Sequence, residues 1–231
     1  MTDKKEKRVR IKLVSPKATF RYPKLNEPDY GSDEYPIEGG AYSVQLVMPA
    51  SEAKVLIDQL QPHYEKALEE GAVKFDALPV AQRKKHGSLK EQNFYTDEFD
   101  KETEEPTGNV IFKFKMKASG KDKKTGKPWS RKPTIFDAKG KPMVGIPAIW
   151  GGTTGKVSFE VSPYFVQGQA MAGISLSLNA VQIIDLRSGG GGNAESYGFG
   201  EEDGYEYDEA DAPAKAEPTD AASTDDGEED F

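Results

Sequence analysis

The chain contains no cysteine and only two histidines, His63 and His86. Without cysteine there are no disulfide staples and no Cys-containing zinc clusters, and the composition suits a reducing compartment. Two distant imidazoles also leave no Ser–His–Asp or Cys–His set, and no His-rich metal site. No cofactor is expected. A run of about 18 apolar residues, the minimum for a membrane-spanning helix, occurs nowhere. The first ten residues, MTDKKEKRVR, lack the apolar segment of a secretory signal. These absences predict an intracellular protein that does not enter membranes.

One sign of charge is also missing locally. Residues 1–187 carry 30 Lys and Arg against 24 Asp and Glu, a net +6, whereas residues 188–231 carry 1 against 15, a net −14. Such asymmetry predicts a nucleic-acid-binding body with an acidic tail. The boundary falls at RSGGGGN, a glycine run that behaves as flexible coil. Beyond it Leu, Ile, Val and Met are all absent, so burial cannot offset the entropy of ordering. The sequence therefore divides into a body, 1–187, and a Gly-rich linker with a disordered acidic tail, 188–231. Aromatic rings still punctuate that tail, and Phe231 follows Asp230 after a run of acids.

The body reads as mainly strand. VIFKFKMKA (110–118) alternates, with Phe112, Phe114, Met116 and Ala118 on one face and Lys113, Lys115 and Lys117 on the other. Period two with one polar face marks a half-buried strand. YSVQLVM (42–48), KPTIFD (132–137), KVSFEVS (156–162) and GISLSLNAVQIID (173–185) complete the set. In the last of these the apolar phase slips, which predicts a bulge near Asn179. One prominent helix is expected after Pro49, capped by Ser51, with an apolar stripe through Ala53, Leu56, Ile57, Leu60, Tyr64 and Leu68. Pro62 should kink or split it. The polar stretch 71–108 reads as an inserted loop. Short strands, Gly/Pro turns and one helix suggest a small, partly open barrel.

The chemistry concentrates between Lys113 and Lys141, where 11 basic residues face only Asp122 and Asp137. Lys121, Lys123, Lys124 and Lys127 follow the lysine-faced strand, and Trp129 stands next to Arg131 and Lys132. Lysines alone describe a solvated loop. A basic strand face joined to a basic loop that also holds a tryptophan suits single-stranded nucleic acid, because cations track the backbone while aromatic faces stack on unpaired bases. Stacking accepts any base, so little sequence preference is expected. Tyr22, Trp150, Tyr164 and Phe165 sit among polar, Gly or Pro neighbours and divide between core lids and base platforms. Phe112, Phe114 and Phe159 read as core, and Phe94, Tyr95 and Phe99, in an acidic stretch, are poor contacts for DNA.

Enzymatic motifs fail on inspection. In GKDKKTGK (120–127), five residues separate Gly120 from Gly126, and Pro128 stands where a P-loop needs its magnesium-binding hydroxyl. GGTTGKV (151–157) is too short and lacks that hydroxyl as well. Two other classes stay open: a duplex DNA or RNA binder using the same basic face, and an acidic-tailed chaperone or interaction module relying on the tail alone.

The ordered segments EPDYG (27–31), GAYSVQLVMP (40–49), FKFKMKASGKDKKTGK (112–127), DAKGKPM (137–143) and IPAIWGGTTGKVSFEVSPY (146–164) resemble the single-stranded DNA-binding protein of short-tailed, podovirus-type coliphages. That family has an acidic tail closing on Asp-Phe, matched here by Asp230 and Phe231. The resemblance implies an OB-fold, a five-stranded Greek-key barrel, and sequence-independent coating of single-stranded DNA (ssDNA) in phage replication, recombination and repair. It also implies work in the cytoplasm of the infected bacterial host. The tail would contact the phage DNA polymerase and the helicase/primase, and a homodimer is among the assemblies implied. The charge pattern suggests in addition that the tail occupies the basic groove until DNA displaces it. Phe231 would then act as an anchor for a partner pocket.

Overall fold

A computed structural model describes residues 11–187; the expected acidic tail, with Asp230 and Phe231, lies outside the described residues. The barrel begins with β1 (Ile11–Val14), β2 (Ala18–Gly31) and β3 (Pro36–Pro49). Two helices follow, α1 (Ala50–Asp76) and α2 (Val80–His86). Then come β4 (Lys90–Gln92), β5 (Tyr95–Phe99) and β6 (Pro106–Lys117). The short strands β7 (Ser119–Lys121), β8 (Pro128–Ser130) and β9 (Thr134–Phe136) lead to the long β10 (Thr154–Val166) and β11 (Met171–Asp185).

Five of these strands close on themselves in the order β2–β3–β6–β11–β10 and back to β2. Among these five strands the ladders are antiparallel except the β6–β11 contact, a parallel pairing at Lys115 and Ser177; the short β4 and β9 also pair with β11 in parallel. The result is the five-stranded Greek-key barrel of an OB-fold, with α1 between its second and third strands. Alternation explains the closure: the inward phases of β3 and β6 (Val44, Leu46, Phe112, Phe114) meet Phe20, Val157, Phe159 and Leu178 in one apolar interior. Phe114 and Phe159 touch there, with ring centroids 4.9 Å apart. The expected bulge is present. Ser158 pairs with Ala180 but Phe159 with Leu178, so Asn179 is left out and both apolar phases of β11 point inward.

α1 differs from expectation in three respects. It starts at Ala50 and no side chain caps it, so Ser51 lies inside the first turn. Pro49 occupies the N-cap position with φ −55° and ψ 141°, extended backbone that ends β3 one residue before the first helical turn. Pro62 neither splits nor ends the helix, which is continuous over 27 residues. The carbonyl that Pro62 leaves without its helical donor is that of Asp58, on the exposed side where water can satisfy it. The buried stripe also runs further than Leu68, through Ala67 to Gly71.

The stretch 71–108 is not an irregular loop. It contains the end of α1, then α2, β4, β5 and the start of β6. Its strands pair along barrel edges rather than around an apolar face of their own, and so carry little alternation. Gly71 shows why α1 can dock so closely: a Cβ there would lie 2.4 Å from the Ala172 Cβ on β11. Gly71→Val should therefore cost about 1–3 kcal/mol from overpacking. The few tenths of a kcal/mol gained in helix propensity do not offset that. Urea denaturation reads the loss directly, and an unchanged midpoint would mean that α1 does not press on the barrel.

Candidate nucleic-acid interface

β6 carries the lysines outward because its alternate residues fill the barrel. Lys113, Lys115 and Lys117 are exposed, while Phe112, Phe114 and Met116 between them are buried. Their cross-strand neighbours on β3 are Gln45, Ser43 and Ala41, none of which is charged. The row therefore keeps its positive potential on the outer face of the second and third barrel strands, the face on which OB-folds bind oligonucleotides.

Lys113 and Lys115 form a ridge between two cavities. One, of about 320 Å³, opens toward β2 and β3 and is lined by Tyr22, Lys24, Asp29, Ser43 and Gln45 as well as the two lysines. The other, of about 300 Å³, opens toward β5 and β11 and includes Tyr95, Tyr164, Ser175 and Ser177. Each side of the cationic ridge thus offers a tyrosine from the sequence-predicted set. Tyr22 is 61% exposed. The Tyr164 ring lies over Gly173, where a Cβ would come within 3.0 Å of its hydroxyl oxygen, and burial pushes the Tyr164 hydroxyl pKa up.

The basic loop after β6 is a hairpin of its own, β7 paired with β8. Asp122 shapes its turn by accepting hydrogen bonds from the backbone N–H groups of Thr125 (2.7 Å) and Lys124 (2.9 Å). These donors, with the Thr125 hydroxyl, hold the Asp122 pKa below the ordinary carboxylate range. The turn's single acid is thereby occupied with backbone. Lys121, Lys123, Lys124 and Lys127 are left exposed around it, and Lys132 lies exposed just beyond the hairpin. The Trp129 indole rests against Gly120, where a Cβ would fall 2.8 Å from the ring. The Arg131 guanidinium sits 5.2 Å from the indole centroid and donates from Nε to the Lys117 carbonyl at 2.7 Å. Arg131 thus ties the hairpin to the end of the lysine ridge. Trp129 keeps 36% of its surface open. Trp129→Ala should lower ssDNA affinity by roughly 1–3 kcal/mol if one base stacks there. Unaltered affinity in the folded variant would remove Trp129 from the interface.

Two predicted rings are placed elsewhere. Trp150 is half exposed, so it is not a core lid, and it lines neither cavity beside the lysines. Its backbone N–H donates instead to the Arg187 carbonyl. Phe165 follows Tyr164 on β10 with the opposite parity, is half-buried, and does not line the Tyr164 cavity. Phe94, expected in a loop, is core, edge-to-face with Tyr64 and Tyr95.

Tyr22 was expected from sequence, but the strand that holds it, β2, and its neighbours Arg21 and Lys24 were not. Pro23 and Pro28 break its alternation, and its pairing with β3 shifts register three times. From this strand Lys24 joins the first cavity and Arg21 reaches Glu98 on β5 in an ion pair. Glu98 also accepts from Asn109 Nδ2 (2.8 Å) and the Thr107 hydroxyl (2.9 Å). The Asn109 amide, with Arg21 and Thr107, lowers the Glu98 pKa against the opposing effect of burial. Among the described residues no group of three or more His, Asp or Glu could hold a metal ion, and no helix is long and apolar enough to cross a membrane.

Comparison with known proteins agrees with this geometry. A family model described as "Single-stranded DNA-binding protein, Bacteriophage T7" matches residues 17–186. The single-stranded DNA-binding protein of Escherichia phage T7 is 31% identical over 213 residues, covering 90% of this chain and 89% of that protein. Its counterpart from Enterobacteria phage T3 is 29% identical over 187 residues, 79% of each. The crystal structure of gp2.5, a single-stranded DNA-binding protein encoded by bacteriophage T7, superposes with a TM-score of 0.63 at 27% identity. That match covers 87% of this chain and 100% of the other.

Proposed function

Since the chain belongs to the single-stranded DNA-binding protein family of bacteriophage T7, we propose that it coats ssDNA along the ridge of Lys113, Lys115 and Lys117. It acts by binding, without catalysis or a cofactor. The observation that carries the reading is the placement of Lys113 and Lys115 between cavities that contain Tyr22 and Tyr164. Lysines attract any polyanion. Accessible ring faces beside them, wide open at Tyr22 and half-buried at Tyr164, contribute only when bases are unpaired, because a duplex hides its base faces. The Trp129 hairpin extends the path beyond Lys117. Binding of this kind is sequence-tolerant and serves replication, recombination and repair of a phage genome in the cytoplasm of its host.

The tail completes the proposal. Its net −14 competes for the basic face when DNA is absent, and its rings stand in for bases. Displaced by DNA, the tail offers Asp230 and Phe231 to the phage DNA polymerase or the helicase/primase. A homodimer in solution is part of the same proposal. Competition among oligo-dT, duplex DNA and RNA of equal length tests the reading. Oligo-dT should displace the others at every salt concentration. Equal competition by duplex would make the protein a general polyanion binder, and binding of basic proteins after loss of the lysines would make it a chaperone.

A further inference from the structure

Tyr22 belongs to two cavities. It helps to line the one that contains Lys113 and Lys115, and it also borders a second, of about 480 Å³, with Arg21, Glu98, Asn109 and Gly151. Its backbone lies at φ 48°, in the left-handed region that a residue with a Cβ rarely adopts. The β2–β3 register shifts between Arg21 and Lys24, so Tyr22 stands off the ladder at the rim between both spaces. Backbone strain at such a position points toward function.

The second cavity is chemically unlike the ridge. It has a carboxylate, Glu98, whose side chain is 11% exposed and which accepts from Arg21, Asn109 and Thr107. An ionised carboxylate has about four acceptor sites, which leaves one for a ligand. Its charge is paired with that of Arg21, so the charged lining of the space sums to zero and offers phosphate no net positive charge. Gly151 leaves the cavity open: a Cβ there would meet only the Phe20 carbonyl oxygen, at 3.9 Å.

We propose that this cavity is a base-holding subsite: it takes one base unstacked from a strand on the lysine ridge, laid against Tyr22, with an exocyclic amine of that base donating to Glu98. This rests on the ssDNA reading above and adds a preference to it. Adenine, cytosine and guanine carry such an amine. Thymine presents carbonyl oxygens on both sides of its single N–H, and these oppose the carboxylate. An otherwise sequence-blind protein would thereby favour one non-thymine base per bound strand.

The test compares oligo-dC with oligo-dT, across salt, for the wild-type protein, Gly151→Leu and Tyr22→Gly. Gly151→Leu fills the space without a backbone clash, and Tyr22→Gly suits the positive φ while removing the ring. Wild type should favour oligo-dC about fivefold. Both variants should lose that preference and bind oligo-dC about tenfold more weakly, with an unchanged salt slope because no phosphate contact is lost. Wild-type affinity and preference in folded Gly151→Leu protein would overturn the subsite and leave the ssDNA reading intact, because Gly151 lines neither cavity beside the lysines. A flattened slope would also overturn it, because the cavity would then hold phosphate. If wild-type protein bound neither oligonucleotide, both proposals would fall.

Discussion

Replacing Lys113, Lys115 and Lys117 together by alanine should weaken ssDNA binding about a hundredfold at 0.1 M salt, and should flatten the dependence of affinity on salt. Each phosphate contact contributes roughly −0.7 to the slope of log K against log salt for single strands. Three contacts therefore carry about −2, worth a hundredfold over one decade of salt. The fold should survive, because the three side chains are exposed and the residues that build the barrel lie on the opposite face of β6. Filter binding at a series of salt concentrations gives both quantities. A loss of affinity with an unchanged slope would mean that the substitutions act through structure rather than through phosphate. An unchanged affinity would move the DNA off β6.

Removal of residues 189–231 should act in the opposite sense. The segment carries 1 basic and 15 acidic residues, so its loss leaves the remaining chain at +6. If the tail occupies the basic face, the truncated protein should bind ssDNA about tenfold or more tightly at low salt, as expected for unmasking a charged surface. The gain should fade as salt rises, since about 0.1 M salt screens exposed charges beyond roughly 10 Å. Removing Phe231 alone deletes a ring and no side-chain charge. The competition should persist, while capture of the phage polymerase in a pull-down is lost. Should Phe231 removal tighten DNA binding as much as the whole truncation does, the ring is a plug for the groove instead of an anchor. No change in either assay would end the anchor proposal.

How far the interface could be read from sequence depends on which elements obey a simple period. β6 and β3 sit between the core and solvent, so their alternation named both the buried rings and the outward lysines. Even the bulge at Asn179 left a trace, as a phase slip in an apolar run. β2 left none. Its prolines interrupt the alternation, so Arg21 and Lys24 gave no sign that they stand beside the lysine row. α1 was legible as a stripe, but its start was not, because Pro49 occupies the N-cap position and no side chain caps the helix. Among the candidate rings, local composition could not separate Tyr22 and Tyr164 from Trp150. Only barrel closure brings β2, β6 and β10 around the same ridge, and no sequence window spans those strands.

The location of the strand is the central claim, and photocrosslinking tests it most directly. Oligo-dT bearing single 5-iododeoxyuridine substitutions would be bound, irradiated and digested, and the attached peptides identified by mass spectrometry. Crosslinks are expected at Tyr22, Tyr164 and Trp129, the rings that flank or extend the row of Lys113, Lys115 and Lys117. Crosslinks confined to Trp150, Phe165 or Phe99, with none at those three, would contradict it.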